Sequence, residues 1–152
     1  GAALRSRGLE PFQRNYIREI IELMLHDRRE EAQQLYEKYE NAIQERRLPI
    51  SDLAKREVLS TSPEKYREKL EAGKTKRSAA HELALNASRR YGQGDQIAYY
   101  ITGNRKNVAV VDAAKLLQDA DPEERDENIP YYLSKLRKLH KKFEPFLVNL
   151  WG

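Results

Sequence analysis

Three groups of cations stand out along the chain: Lys69, Lys74, Lys76 and Arg77; Arg89 and Arg90; and Lys135, Arg137, Lys138, Lys141 and Lys142. Their chemistry is electrostatic. Grouped Lys and Arg side chains neutralise the phosphates or carboxylates of a polyanion. Balanced by nearby Glu, the same residues also make ordinary solvated helix faces. The formal net charge is only +4, so any attraction for an anion must come from where the charges gather.

Bond-making chemistry has no comparable set. His26, His81 and His140 stand far apart and form no HxxxH or HxH pair, so no metal site is expected. The chain lacks GxxxxGK(S/T), GxGxxG and GxSxG. The segment RRYGQGDQ holds Gly92 and Gly94 but not the strand-then-helix order that a phosphate cradle needs. Acidic residues sit mostly four positions from a Lys or Arg, the spacing of surface pairs. Among the 152 residues there is no cysteine, which excludes disulfides and thiolate metal sites and fits a cytoplasmic protein. No run approaches the ~18 apolar residues of a membrane-spanning helix, and the first residues lack the apolar middle of a signal peptide.

The expected architecture is a single domain, mainly α with a small antiparallel β element. Phe12, Tyr16, Ile17, Ile20, Ile21 and Met24 follow helical spacing. A break at His26–Asp27, with Asp27 and Glu30 placed as a capping box, leads into a second helix with Ala32, Leu35, Tyr39 and Ile43 on its inner face. Together they predict a helical hairpin over about 11–47, stopped by Pro49. The segment from Leu48 to Ser60 reads as an extended piece followed by a helical turn. Central helices are expected over about 62–91. Ser62 with Pro63 and Glu64 starts the first, Gly73 ends it, and Ser78 caps the next, which carries Leu83, Leu85 and Ala87. Alternation over 95–102 predicts a strand with Tyr99 and Tyr100 on opposite faces, one in the core and one exposed. Gly103–Asn104 is a turn signal, and 107–111 is the expected partner strand, giving a β-hairpin over about 95–111. A polar loop then precedes a C-terminal helix over about 130–149. Its apolar seam is Tyr132, Leu136, Leu139, Phe143, Phe146 and Leu150, and Pro145 is expected to kink or interrupt it.

Four stretches, in order, carry a resemblance. Arg7-Gly8-Leu9-Glu10 is similar to a thumb-opening "RGLExvRRD". The stretch LPISDLAKREVLSTSPEKYRE is similar to "LvItKxLsKxxxxY". The run HELALNASRRYGQGDQIAYYITG, through His81, Ala84, Ala87, Gly94, Asp95, Ile97, Tyr99 and Ile101, resembles a "PHVxxAxxxxxRG" helix leading into a "PGDxIxYVI" strand. The segment NIPYYLSKLRKLHKKFEPFL, through Tyr131, Tyr132, Leu136 and Phe146, resembles a closing "YYIxxxLxP" helix. This order resembles the thumb domain of family B DNA-directed DNA polymerases. The departures are Gln13-Arg14-Asn15 where the family has "RRD", Ala80 where it has proline, and Lys55-Arg56-Glu57 in place of a more lysine-rich stretch.

The resemblance implies a domain that grips duplex primer–template DNA through sequence-independent phosphate contacts. Three places are candidates: Lys55 and Arg56 with Ser60 and Thr61; Lys74, Lys76 and Arg77 leading into the Ser78 N-cap; and Arg89 and Arg90 with Tyr91. The second ranks first, because a basic loop meets a helix N-terminus there. For Lys135 to Lys142 a solvated face is the expectation, and His81 is expected to pack or hydrogen-bond rather than touch DNA. The palm motifs of the family do not occur in these residues, so Mg²⁺ and two-metal phosphoryl transfer are expected on a palm domain outside them, in the same or a companion chain. The alternatives are a separately encoded small subunit of a split polymerase, and a helical protein-interaction domain with no nucleic-acid role.

Overall fold

The structure, a computed structural model, describes residues 8–151, with side chains described through Val148. Arg7, used above, lies outside that description, as does the side chain of Leu150. The protein is mainly helical with a small three-stranded antiparallel sheet.

Helix α1 (Pro11–Leu25) starts on a proline. Its first turn is closed by the Glu10 N–H donating to Gln13 Oε1 at 3.1 Å, the reciprocal pairing of a capping box. The chain reverses at Asp27 and continues as α2 (Arg29–Gln44). The expected break is there, but the helix starts one residue later than the Asp27–Glu30 capping box would place it. Asp27 takes a left-handed backbone conformation (φ 54°) to make the turn, and Arg28 is the residue that precedes the helix. Helix α7 (Ile129–Trp151) packs along α2, and α1 completes a three-helix layer. Phe12, Tyr16, Ile20 and Leu136 are fully enclosed there, and each large apolar side chain contributes roughly 1.5–3 kcal/mol through burial.

The seam on α7 is as expected through Tyr132, Leu136, Leu139 and Phe143. Phe146 is instead 59% exposed and Leu147 is buried. At 3.6 residues per turn the position after Phe143 that returns to the core is four along, not three. The helix also continues through Pro145, which loses one backbone hydrogen bond without interrupting the helix.

The second layer is the sheet, with a helical hairpin beside it. Its strands are β1 (Lys55–Val58), β2 (Gln96–Ile101) and β3 (Ala114–Leu116), in the order β1-β2-β3. Two expectations fail here. The segment after Pro49 has the opposite order, a helical turn α3 (Ile50–Leu53) and then β1. The expected partner strand at 107–111 does not form: Val110–Ala113 is a helical turn, α6, and β3 follows it. The two valines of that turn are partly buried against the core rather than laddered to β2. A β-branched run therefore serves as packing surface, and β2 finds its partners in less apolar segments.

Tyr99 and Tyr100 do point to opposite faces, yet both are buried, at 4% and 0% exposure. Tyr99 donates to Glu57 Oε1 at 2.7 Å. Tyr100 donates to Asp126 Oδ1 at 2.6 Å, from the loop that was expected to be merely polar. That loop ends in Glu127 and Asn128, both within 1% of full burial. Glu127 pairs with Arg46 and Arg125. Asn128 Nδ2 donates to Thr102 O and Arg105 O, and its Oδ1 accepts the Tyr131 N–H. A Cβ on Gly103 (φ +105°) would come within 3.2 Å of that Asn128 amide, which keeps position 103 a glycine. No exposed tyrosine is left on β2 to stack on a base.

The helical hairpin is α4 (Pro63–Glu71) and α5 (Ala79–Asn86). Its caps are those expected. Ser62 Oγ accepts the Lys65 N–H at 3.2 Å, and Ser78 Oγ accepts the His81 N–H at 3.3 Å. Gly73 (φ +71°) closes α4: Gly73 N–H reaches Leu70 O at 3.0 Å and Lys74 N–H reaches Lys69 O at 2.8 Å, a Schellman end. The buried face of α5 is Ala79, Ala80, His81 and Ala84; Leu83, Leu85 and Ala87 are only partly covered.

Candidate nucleic-acid interface

The three basic places sort differently once folded. Arg77 is committed within the protein. Its guanidinium donates to Glu82 at 2.7 and 2.9 Å and to Asp112 at 3.1 Å, and those bonds push its pKa further up. The N-terminus of α5 is also spoken for. Ser78 Oγ contacts His81 Nδ1 at 2.8 Å, and the Ser78 N–H donates to Tyr66 Oη at 2.9 Å. Lys74 and Lys76 are exposed and hold no ion pair among the described residues.

The first and third places come together along β1. Lys55 and Arg56 open the strand, opposite Tyr99 and Ala98. At the other end Leu59 N–H donates to Asp95 O at 2.9 Å, and Arg89 reaches Asp95 Oδ2 at 3.6 Å. Arg89 also lies 4.0 Å over the Tyr91 ring, so it is partly held. Arg90 is exposed and, like Lys55 and Arg56, has no ion-pair partner among the described residues. A cleft of about 390 Å³ joins Arg89 and Arg90 to Pro63 and Glu64 at the start of α4. Lys74 and Lys76 lie at the far end of the α4–α5 hairpin.

The strand itself is an edge of the sheet. The Leu59–Asp95 bond fixes the ladder phase, because inward-facing residues alternate in an antiparallel pair. Lys55 and Glu57 therefore face β2, and the backbone N–H of Arg56 faces outward. Four residues at ~3.4 Å each carry this row of donors over a little more than 10 Å, against one duplex charge per ~1.7 Å of axis. Charges on an edge strand also deter edge-to-edge pairing between molecules.

The remaining candidates are structural. Lys135 is no solvated cation. It pairs with the buried Glu10 at 2.7 Å, and its pKa is raised because that attraction outweighs desolvation. Arg137, Lys138, Lys141 and Lys142 are exposed on α7. His81 is packed, stacked on Tyr66 with ring centroids 4.9 Å apart. His140 stacks on Tyr36 at 4.4 Å, with Nδ1 2.8 Å from Tyr16 Oη. Among the described residues no three His, Cys, Asp or Glu side chains converge as a metal set. No described helix is long and apolar enough to cross a membrane. No protein family and no curated protein matches the chain in sequence.

Both histidines have pKa values lowered by burial. The folded state therefore disfavours their protonation, and the stability they contribute is complete above the ordinary histidine pKa and lost as pH falls below it. The urea midpoint is expected to be lower at about pH 5.5 than at about pH 7.5, on either side of the ordinary value near 6.5. A double H81Q/H140Q variant should show a flatter dependence, and an unchanged slope would show that other groups dominate.

Proposed function

We propose that the chain is a nucleic-acid-holding domain of the polymerase-thumb type. It grips duplex DNA through phosphate contacts made along β1 and the turn after α5, beside a palm domain that supplies the metal chemistry. The observation that carries this reading is the set of cations without ion-pair partners among the described residues: Lys55 and Arg56 on an exposed edge strand, and Arg90 on the turn after α5. Lys74 and Lys76 provide further cations at the other end of the α4–α5 hairpin, and Arg77 is given a structural role. The absence of an exposed aromatic on β2 favours backbone gripping over base stacking. A cytoplasmic setting belongs to the same proposal.

A grip made of phosphate contacts carries no base readout. Two duplexes of equal length and unrelated sequence should bind with affinities that agree within a few-fold. A preference of more than about tenfold, the worth of one good base contact, would contradict the proposal. Docking on another protein as the main role draws on one observation, the exposed Phe146 and Val148 near the end of α7. It predicts protein binding with no affinity for DNA.

A further inference from the structure

We propose that the cleft between the turn before α1 and the start of β1 is a phosphate subsite, in which the side chains of Arg14 and Lys55 and the backbone N–H of Arg56 meet one phosphate group. The inference rests on the nucleic-acid reading for the origin of its ligand, but its geometry stands apart from it. The cleft measures about 200 Å³ and is walled by Leu9, Pro11 and Ala54. Among the described residues three cations line it and no carboxylate does. The neighbouring acid, Glu10, is turned into the core at 3% exposure and is neutralised by Lys135.

The donors are arranged for an oxyanion. Arg14 Nη1 donates to Leu9 O at 2.7 Å, which ties the guanidinium to the rim. Among the described residues four of its five N–H donors have no partner, including the Nη2 edge that can hold phosphate oxygens in a fork. Lys55 supplies a point charge. The outward backbone N–H of Arg56 adds a neutral donor on the same edge, while its side chain leaves from the opposite face of the strand to that of Lys55. The subsite takes a phosphate monoester or diester. Sequence reading singles out Lys55 and Arg56 but passes over Arg14, which is brought to them by the chain reversal between α1 and α3.

Amide chemical shifts of the intact chain, followed by NMR, test this with two probes. Inorganic phosphate, titrated against chloride at matched ionic strength, should move the amides of Leu9, Arg14, Lys55 and Arg56 saturably, and R14Q should abolish that response. Shifts that merely follow ionic strength, or that survive R14Q, overturn the subsite. With a short duplex as the second probe, the same amides should move, and R14Q should weaken binding on the order of tenfold, the loss of one charge-assisted contact. Duplex binding that moves the amides of Lys55 and Arg56 but leaves those of Leu9 and Arg14 unmoved overturns the subsite and spares the proposed function. Saturable phosphate binding by a chain with no duplex affinity does the reverse, and identifies a free phosphate or phosphomonoester as the ligand.

Discussion

Replacing Lys55, Arg56 and Arg90 together with glutamine is expected to weaken duplex binding about a hundredfold at low salt and to leave the fold intact. Each charge-assisted contact to a phosphate is worth roughly 1.5 kcal/mol or more where water is excluded and less at an exposed site, so three give about 3 kcal/mol in all. Each contact also releases condensed counterions, so the salt dependence should become shallower by about three contacts' worth. Stability should not follow, because none of the three side chains holds an ion pair within the described protein. The parallel change at Lys74 and Lys76 should weaken binding less, since those residues stand at the far end of the hairpin. Anisotropy titrations and urea unfolding of the same preparations check both halves. Unchanged affinity in the triple variant would remove β1 from the interface.

The largest effect on stability is expected at Tyr132. By the register of the sheet Leu53 stands opposite Ile101, two residues beyond the end of the β1–β2 pairing. The two strands have parted there, and the Tyr132 hydroxyl fills the gap. It accepts the Ile101 N–H at 2.9 Å and donates to Leu53 O at 3.0 Å. Phenylalanine would keep the ring and its edge-on contact with Phe12, whose centroid is 5.9 Å away. It would leave two buried backbone groups without partners. At about 1–3 kcal/mol for each orphaned group, Y132F should cost roughly 2–6 kcal/mol, a large share of the ~5–15 kcal/mol that holds a domain together. Denaturant unfolding reads this directly, and a loss below about 0.5 kcal/mol would mean that water replaces the hydroxyl.

Much of the helical framework is legible in the sequence because its signals are local. Ser62, Gly73 and Ser78 act on atoms within four residues of themselves, and each does what its type and position imply. The inner face of α2 follows from spacing alone. Strand β2 is visible for the same reason, since Ile97, Tyr99 and Ile101 alternate. Strand β1 is hidden because Lys55, Arg56 and Glu57 are charged and its outer edge meets solvent, so alternation has nothing to report. The valines at 110 and 111 mislead because β propensity describes a pleated, half-buried surface, and here that surface is met by helical packing.

The candidate site was legible as composition and not as geometry. Arg77 stands in the most basic loop, yet Glu82 and Asp112 claim it. Asp112 is 35 residues away, and no local pattern announces such a partner. Lys135 is likewise claimed by Glu10 from the opposite end of the chain. Conversely, the approach of Arg56 to Arg14, and of Arg89 to the end of β1, depends on how β1 pairs with β2. The tyrosine pair shows the same limit: alternation assigns Tyr99 and Tyr100 to opposite faces, but only the return of the loop at Asp126 covers the second face.

The central claim is a sequence-independent grip on phosphates, and its most direct test is the salt dependence of duplex binding by the unmodified chain. Between about 50 and 200 mM salt, the logarithm of the association constant should fall linearly with the logarithm of salt concentration, with a slope of about −3 or steeper for three or more phosphate contacts. A slope near zero, or no binding at the lower salt, would contradict the account.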